Sequence, residues 1–325
     1  MTKLEVVGLG ALNMDCIYQV EHILDDGEAV VKQFILSPGG SAANTIYGLA
    51  KLGISTGFVG VLGDDTDGQL LIADFRSVGV DVSRIKAKPH AKTGLVVGLT
   101  DSRGKRSLYV LPGANSLLTL ADLDIDYLNT AGLLHLTSFA DEGQLELSLE
   151  LVKKLDPSVP ISFSPGMLYV GKGMKVLDPV LARTRVLFLN QDEIVQLTGK
   201  DVVTGAKTCL EHGCQVVVVT LGQGAKLTVG KKVEVTAVCY VRDAEYEYIT
   251  EPGKQKLTPE DTTGAGDAFA AGFLYCLLKG KTIDECVRCG DIVAQFSMTK
   301  TGARPGLPDL ELLSQRYQEL YREPL

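Results

Sequence analysis

The chain has 325 residues, a length that fits two average domains or one large α/β domain with an appendage. Hydrophobic residues make up 45% and charged residues 22%, a composition that excludes a disordered or fibrous chain and indicates a soluble globular protein. Acidic residues outnumber basic ones by 40 to 32, and the net charge of −8 gives no attraction for nucleic acid or acidic membranes. These numbers favour a small-molecule partner.

The cysteines and the N-terminal segment bear on where the protein works. Seven cysteines follow no regular spacing, and an odd number leaves at least one thiol unpaired, so we expect the reducing cytoplasm. The first fifteen residues contain Glu5 and Asp15 and lack the apolar core of a secretion signal. The apolar run Ala268–Leu278 is shorter than the about 20 residues that a membrane helix needs. We expect neither export nor a membrane span.

Strand-like and helix-like runs alternate along the chain. In chain order, β-branched runs predict buried strands at Leu4–Gly10, Ile54–Leu62, Leu133–Leu136, Val159–Phe163, Val186–Leu189 and Val216–Leu221. Between and after them, capping and periodicity predict helices at Ser41–Leu52, Glu142–Leu155, Asp192–Leu197, Thr204–His212 and Thr282–Met298. This alternation predicts an α/β fold in which helices cover both faces of a mostly parallel sheet.

Two regions interrupt the alternation and read as hairpins. In Cys16–Leu36, two extended stretches flank the turn-forming residues Leu24–Gly27. In Thr93–Pro112, two strand-like runs flank Asp101–Gly104. We expect both hairpins to form a small antiparallel sheet beside the main one, and we call these segments, about residues 16–36 and 93–112, the lid. No linker separates them, so we expect one domain over residues 1–325 with the lid interleaved.

Polar side chains follow the first strand, and a glycine cluster opens the first helix. Asn13 and Asp15 lie on one side of an extended chain and offer an amide and a carboxylate suited to polyol recognition. A polar loop exit explains them equally well. The stretch Pro38–Asn44 contains Gly39 and Gly40 and leaves room for a ligand that Asn44 can bind through a donor and an acceptor. The alternative is a tight turn.

Two further strand ends carry candidate ligand contacts. Asn190–Glu193 begins a helix after a strand, where a carboxylate can hold hydrated Mg²⁺, although an ordinary helix cap gives the same pattern. Val219–Gly224 ends a valine-rich strand with glycines at positions 222 and 224. That turn is either a loop approached by phosphate or a hairpin turn.

The strongest local signal is Asp261–Phe269, which runs into the apolar stretch that follows. Its Gly264-Ala265-Gly266 turn can direct backbone N–H groups at an anion, with the support of the helix dipole. Asp267 opposes an anion there unless it acts on a proton, as a base for a hydroxyl nucleophile would. The alternative is a helix capped by Thr263 with an acidic first turn.

Several familiar motifs are absent or incomplete. Gly8-Leu9-Gly10 follows a strand, but Asn13 occupies the third glycine position of the dinucleotide fingerprint. The sequence contains no P-loop motif. Cys286 and Cys289 fall inside a predicted helix and are interpreted as a buried pair, and the four histidines show no zinc-ligand spacing.

Taken together and in this order, the motifs resemble those of the ribokinase-like, or PfkB, family of carbohydrate and nucleoside kinases, over nearly the whole chain. The resemblance rests on Gly39–Asn44, Gly53, Gly63–Gly68, Pro112–Asn115, Asn190 with Glu193, Thr220–Gly222, Asp261–Phe273 and Gly302-Ala303. It implies a ribokinase-like three-layer sandwich with a small antiparallel lid. It also implies ATP-dependent phosphoryl transfer to a hydroxyl, with Mg²⁺ bridging phosphates.

The resemblance also implies roles for individual residues. Asp267 is the expected base, and the amides of Gly264, Ala265 and Gly266 stabilise the transferred group. The expected acceptor-binding residues are Asn13, Asp15, Gly39, Gly40 and Asn44. The expected nucleotide-binding residues are Asn190, Thr220, Gly222 and Gly224. Glu193 places Mg²⁺ through water, and Asp261 and Thr263 help to hold a monovalent cation such as K⁺.

Some positions depart from the pattern of close ribokinases. Ser41 stands where Lys is frequent, and Asp291 stands where Asn or His often faces the adenine. The leading function is phosphorylation of a small sugar. The alternatives are a nucleoside kinase, with an apolar shelf from Tyr18, Phe34 or Tyr109, and a catalytically idle sugar-binding regulator. A homodimer formed through the lid is a further expectation.

Overall fold

The structure is a computed structural model that describes residues 4–101, 106–229, 233–251 and 259–325. Its strands are β1 (Val6–Leu9), β2 (Asn13–Val20), β3 (Gln33–Gly39), β4 (Thr56–Gly63), β5 (Asp81–Lys88), β6 (Gly94–Asp101), β7 (Arg106–Leu111), β8 (Leu134–Thr137), β9 (Ile161–Ser164), β10 (Thr184–Asn190), β11 (Val216–Val229), β12 (Val233–Asp243) and β13 (Glu247–Thr250). Its α-helices are α1 (Ser41–Lys51), α2 (Thr66–Ser77), α3 (Ile125–Asn129), α4 (Glu142–Lys154), α5 (Gly166–Val170), α6 (Met174–Leu181), α7 (Gln191–Thr198), α8 (Val202–Glu211), α9 (Ala265–Leu278), α10 (Ile283–Ser297) and α11 (Leu310–Tyr321).

The strands form one large sheet and one small sheet. Within the described residues the large sheet has nine strands in the order β13-β12-β11-β10-β9-β8-β1-β4-β5. Strand pairing is parallel from β11 through β5 and antiparallel only where β12 and β13 are added at one edge. The predicted mostly parallel sheet is confirmed.

Helices cover both faces of the large sheet, and each face has its own hydrophobic core. One core packs helices α3 to α8 against residues such as Leu136, Phe163 and Val219. The other packs α1, α2, α9, α10 and α11 against residues such as Phe58 and Val218. Every residue of α9 from Ala268 to Cys276 is buried, as expected for a helix covered on both sides. The fold is therefore the predicted three-layer α/β sandwich.

The lid segments form the small sheet, in the order β3-β2-β6-β7. Strands β2 and β3 pair antiparallel, as do β6 and β7, so both predicted hairpins are confirmed. The prediction of a fully antiparallel sheet is wrong, because β2 and β6 pair in parallel. Both strands follow parallel strands of the large sheet, β1 and β5, and so leave it in the same direction. Residues 102–104 of the predicted turn lie outside the described residues.

Two sequence predictions along the rest of the chain need correction or qualification. The strand predicted at Val216–Leu221 continues to Val229 and pairs with β12. The stretch Cys239–Pro259, for which the sequence predicts no role, supplies the end of β12 and the edge strand β13, while residues 252–258 lie outside the described residues. Among the described residues, none of the helices combines the length and apolar character needed to cross a bilayer.

Candidate active site

A cleft opens where the strand order of the large sheet reverses. From β1 the chain adds β4 and β5 on one side and β8 to β11 on the other, so the connections diverge between β1 and β8. In open α/β sheets, ligands bind at the carboxyl ends of strands at such a point. The cleft is lined by residues after β1, residues after β8, Ser41, and Val110 and Pro112 from the lid.

The N-terminus of α9 lies beside this cleft. Gly264 is the N-cap residue, with φ of +74°, and a Cβ there would lie 2.5 Å from the Cβ of Ala303. Only glycine tolerates this combination of left-handed backbone and close approach. No side chain caps the helix, so the interpretation of Thr263 as its cap is wrong: the cap position belongs to Gly264.

The first amides of α9 differ in what they offer to a ligand. Ala265 donates its N–H to the carbonyl of Thr262 at 3.2 Å, which closes the turn, so its predicted role in stabilising a phosphoryl group loses support. The N–H groups of Gly266 and Asp267 donate to no atom of the described residues. A Cβ on Gly266 would meet nothing within 4 Å. Open space therefore lies in front of Gly266, where an anion can approach the helix terminus.

We expect Gly266→Ala to lower kcat by about tenfold or more without loss of stability. The added methyl group meets no protein atom, and alanine in a helix is favoured over glycine by about 0.5–1 kcal/mol. The loss of activity would then arise from obstruction of the phosphoryl group. Thermal unfolding and steady-state kinetics of the two proteins check this. Wild-type kcat in a stable Gly266→Ala variant would show that no reacting group approaches this residue.

The carboxylate of Asp267 is held by α1. Ser41 donates its hydroxyl to Oδ1 at 2.7 Å, and Asn44 donates its amide N–H to Oδ2 at 2.9 Å. Thr45 donates its hydroxyl to the Asp267 backbone carbonyl at 3.3 Å. Burial nevertheless raises the pKa of Asp267 to about 6, because the two hydrogen bonds and the charge of Arg304 offset only part of the desolvation. A pKa near neutrality suits a general base.

The raised pKa predicts a particular pH dependence of activity. The base works only when deprotonated, so kcat/KM should be level above about pH 7 and fall about tenfold per unit below a midpoint near pH 6. Removal of one hydrogen bond to the carboxylate in Ser41→Ala should move this midpoint upward. A pH–rate profile of both proteins checks the prediction. A midpoint below pH 4.5 would mean that the group controlling the rate is an ordinary exposed carboxyl.

Asn44 contacts Asp267, and the glycine turn before it packs closely against the chain segment after β1. The amide oxygen of Asn44 accepts from Nε of Arg304 at 3.0 Å, while its nitrogen donates to Asp267. One N–H of the amide remains for an acceptor molecule. Gly40 is the N-cap of α1 with φ of +100°, and a Cβ there would lie 2.1 Å from the carbonyl oxygen of Ala11. This glycine lets the turn approach the chain segment after β1.

The predicted acceptor residues Asn13 and Asp15 lie on the first part of β2. Asn13 is 6% exposed, lines the cleft and accepts a hydrogen bond from the amide of Asn115 at 2.9 Å. Asn115 also bonds both backbone polar groups of Leu12, so it fixes the chain after β1. The Asp15 carboxylate lies against Gly39, where a Cβ would fall 2.3 Å from Oδ1.

The predicted nucleotide-side residues lie farther along the same sheet edge. Asn190 ends β10 and is the register partner of Thr220 in β11. Asn190 and Glu193 form a reciprocal capping box, with bonds of 2.9 and 2.8 Å, so the capping interpretation is confirmed. Burial raises the pKa of Glu193, and the negative charge of Asp267 adds to the effect. The two carboxylates are thus close enough to influence each other.

Gly222 and Gly224 lie in an irregularity within β11. The register between β11 and β12 shifts between Thr220 and Ala225, and the two glycines have φ of +57° and +114°. The same strand pairs with β12 again from Ala225 onward, so the two glycines form a bulge within the strand and the hairpin interpretation is wrong. A Cβ on Gly222 would meet nothing within 4 Å, which leaves the bulge accessible.

Asp261 joins two loops beside the start of α9. Its Oδ1 accepts the N–H of Thr263 at 2.9 Å, and its Oδ2 accepts the N–H of Gly302 at 2.8 Å. The predicted cation residues therefore lie together, at the junction with Gly302 and Ala303.

Sequence reasoning missed Arg304 entirely and noted Ser41 only as a departure from a pattern. Arg304 lies 260 residues from Asn44 in sequence, and no local spacing relates the two. Ser41 occupies the first position of α1, and its hydroxyl bonds the predicted base. The one available signal was its place directly after Gly39-Gly40.

Comparisons with known proteins show which family and fold this chain shares. The family model for pfkB family carbohydrate kinases matches residues 1–310. An uncharacterized sugar kinase of Archaeoglobus fulgidus is 36% identical over 262 residues, which cover 80% of this chain and 98% of that protein. Ribokinase of Arabidopsis thaliana, solved with ribose and ATP, has a TM-score of 0.79 at 24% identity and 97% and 98% coverage of the two chains. A nucleoside kinase of Methanocaldococcus jannaschii has a TM-score of 0.79 at 20% identity, with 98% and 99% coverage.

The two solved structures share the fold, and the family model covers nearly the whole chain. The structure contains the three features that the sequence predicts: a carboxylate at a helix N-terminus, a glycine turn and a lid. The chain belongs to the pfkB family of carbohydrate kinases, phosphotransferases that act on sugar hydroxyl groups.

Proposed function

We propose that this kinase transfers the γ-phosphoryl group of ATP to a hydroxyl of a small sugar, with Asp267 as the base. The observation that carries the proposal is the Asp267 carboxylate, bonded by Ser41 and Asn44 at the N-terminus of α9 with its pKa raised to about 6. The A. fulgidus relative is named as a sugar kinase, and the Arabidopsis ribokinase was solved with ribose and ATP. Both support a sugar acceptor and ATP as donor.

The proposed reaction needs a positioned proton acceptor and a stabilised phosphoryl group. Asp267 takes the proton of the sugar hydroxyl while the hydroxyl oxygen forms a bond to the γ-phosphorus of ATP. The bond between that phosphorus and the ADP oxygen breaks on the opposite side. The N–H groups of Gly266 and Asp267 face the negative charge on the transferred group, with the support of the α9 dipole. Gly264 serves by shaping the turn, because its φ of +74° sets the direction of these amides.

The acceptor occupies the cleft at the carboxyl ends of β1 and β8 in this proposal. Asn13 faces it with its amide, Asp15 accepts sugar hydroxyls, and the Gly39-Gly40 turn leaves the space that a ring needs. Asn44 acts chiefly on the base, through the hydrogen bond to Oδ2.

The nucleotide lies along Asn190, Thr220 and the bulge with Gly222 and Gly224 in the same proposal. Glu193 fits Mg²⁺, because carboxylate oxygen suits this cation. Its Oε2 accepts a hydrogen bond from the N–H of Asn190 at the start of the helix, while its Oε1 bonds no atom of the described residues. No group of three or more metal-ligating side chains is found among the described residues. Mg²⁺ held there would supply positive charge that offsets the negative charge of the phosphates. Glu193 would hold it through water.

A monovalent cation such as K⁺ is proposed at the loop pair joined by Asp261. The Asp261 carboxylate accepts the N–H groups of Thr263 and Gly302, so it holds two loops together, and carboxylate and hydroxyl oxygens are ligands that suit a hard cation. Such a cation would favour the turn that directs the α9 amides.

We also propose a cytoplasmic location, which the seven buried free thiols support.

The test of the proposed function is a coupled ADP-release screen with ATP and Mg²⁺, in which sugars and nucleosides are supplied one at a time. A sugar-dependent rate in the wild type that is lost in Asp267→Asn supports the proposal. A rate with nucleosides alone assigns the alternative acceptor class. Sugar binding by calorimetry without any ADP release would support the idle regulator.

One observation favours the nucleoside alternative. Met167 and Leu168, from the helix after β9, are 51% and 48% exposed and border the cleft region that contains Phe139. Such an apolar surface can support the nucleobase of a nucleoside. Of the lid residues suggested for a shelf, Tyr18 and Phe34 pack on each other at 5.1 Å and Tyr109 is exposed.

We expect the lid to close over the acceptor. Val110 and Pro112 already line the cleft, while large apolar lid residues such as Phe34, Leu36 and Leu111 are about half exposed. Hydrogen exchange with and without acceptor should show added protection in residues 16–36 and 93–112, because lid closure excludes water from phosphoryl transfer. Protection confined to residues 264–267 would identify the lid as a static element.

The same exposed apolar residues support a homodimer formed through the lid. Light scattering of the wild type and of Phe34→Asp measures it. A dimer in the wild type that becomes a monomer in the variant would support it, and a monomeric wild type would contradict it.

A further inference from the structure

Arg304 is a buried charged residue near the site, and its guanidinium contacts two aromatic rings and a carboxylate. It is 5% exposed, and its Cζ lies 5.2 Å from the ring centroids of both Tyr47 and Phe75. Nη1 forms an ion pair with Asp74. A buried guanidinium is costly unless its charge and its donors are matched, so each of these contacts fixes its position.

The other two hydrogen bonds of the guanidinium connect Arg304 to Asn44 and Gly39. Nε donates to Oδ1 of Asn44 at 3.0 Å, and Nη2 donates to the carbonyl oxygen of Gly39 at 3.2 Å. Arg304 thereby joins the loop after α10 to the glycine turn that borders the acceptor site. The planar fork of arginine can serve these partners together, whereas a lysine ammonium offers a single point of contact.

The contact with Asn44 determines which way its amide faces. A guanidinium has donors only, so the Asn44 atom that meets it must be the oxygen. The Asn44 NH₂ group then faces Oδ2 of Asp267 and donates to it at 2.9 Å. With the amide reversed, its oxygen would oppose the carboxylate, and the hydrogen bond to the base would be lost.

We propose that Arg304 is a positioning residue for the phosphoryl-transfer reaction, which orients the Asn44 amide so that it holds Asp267 while also tying down the Gly39 turn. The inference rests on the proposed role of Asp267 as the base. Arg304 touches neither the proposed acceptor nor the phosphates, and it acts through Asn44 and Gly39.

Charges around the pair support an electrostatic contribution as well. Arg304 is the positive charge that acts on Asp267, and Glu193 is a negative charge that also faces it. On its other side, Arg304 faces Asp74 and Asp15. Removal of Arg304 would take this positive charge away from Asp267 and leave the Asn44 amide free to rotate.

The test uses Arg304→Met, with Arg84→Met as the matched control. Arg84 also pairs with a carboxylate, that of Asp124 at 2.7 Å, and lies 5.1 Å from the ring centroid of Tyr127, but it belongs to the edge strand β5 and does not line the cleft. We expect kcat to fall about 100-fold in Arg304→Met, since small misplacements of a catalytic group have effects of this size. The acidic midpoint of kcat/KM should rise by about one pH unit, because a nearby opposite charge is lost. The control should change neither quantity.

A second variant keeps the test decisive if Arg304→Met does not fold. Arg304→Lys preserves the charge and most of the packing, but its ammonium cannot hold Asn44, Gly39 and Asp74 together. We expect its kcat to fall about tenfold, the usual effect of losing one charge-assisted hydrogen bond. In a double variant with Asn44→Ala, the effect of Arg304→Lys on kcat should largely disappear, because the two residues act as one unit.

The outcomes separate this inference from the function on which it depends. Wild-type kcat in Arg304→Lys, or an unmoved acidic midpoint in folded Arg304→Met, would overturn the positioning role while leaving Asp267 as the base. An unchanged kcat in Asp267→Asn would instead overturn the proposed mechanism itself. A loss of thermal stability with normal kcat and a normal pH profile would make Arg304 purely structural.

Discussion

Asp267→Asn should lower kcat by about 10²–10⁴-fold, the range found when a positioned general base is removed. Asparagine is nearly isosteric with aspartate, and it can still accept from Ser41 at one position, so the start of α9 should keep its conformation. What it lacks is the ability to take the proton of the acceptor hydroxyl. Steady-state kinetics at saturating ATP and acceptor measure the change.

Two controls make this result interpretable. Calorimetry should show that Asp267→Asn binds nucleotide like the wild type, because the nucleotide-side residues Asn190 and Thr220 are untouched. The thermal midpoint should change little, because removing a charge that burial disfavours offsets the loss of the hydrogen bond from Asn44, whose NH₂ group then meets the NH₂ group of the new side chain. A variant with unchanged kcat would remove Asp267 from the role of base.

Asp15→Ala should raise the KM for the acceptor about 10- to 100-fold, the range expected when a charge-assisted hydrogen bond is removed, while the KM for ATP stays nearly constant. The carboxylate lies against Gly39 at the acceptor end of the site. The proposed nucleotide residues lie at the end of β10 and at the bulge within β11, on the other side of the β1–β8 reversal. Each KM is measured with the other substrate saturating.

The matched control for this prediction is Asp25→Ala. Asp25 is an exposed carboxylate in the connection between β2 and β3, so it reports any general effect of lost negative charge in the lid. It should leave both KM values unchanged. Equal increases of both KM values in Asp15→Ala would show that this carboxylate does not act selectively on the acceptor.

Much of the fold was predictable because its signals are local. Buried β-branched runs marked strands such as β1 and β10, and the Gly-Ala-Gly turn before an apolar run marked the start of α9. Chain alternation then implied that the carboxyl ends of parallel strands share one edge. The location of Asp267 beside the glycine turn of α1 follows from these signals combined.

The remainder depends on contacts that no local pattern encodes. The bulge at Gly222 and Gly224 has the composition of a hairpin turn, and only the pairing with β12 on both sides of it distinguishes the two. The parallel pairing of β2 with β6 depends on how two distant segments leave the large sheet. The hydrogen bond between Arg304 and Asn44 joins residues 260 apart, so it was visible only in the structure.

The most direct measurement of the central claim is ³¹P NMR of a reaction containing ATP, Mg²⁺ and a sugar identified by the ADP-release screen. With the wild type we predict a new phosphomonoester resonance that grows as ADP forms, in equal amounts. With Asp267→Asn under the same conditions we predict neither signal within the same time. ADP accompanied by inorganic phosphate alone, or a phosphomonoester formed equally fast by both proteins, would contradict base-assisted transfer to a sugar hydroxyl.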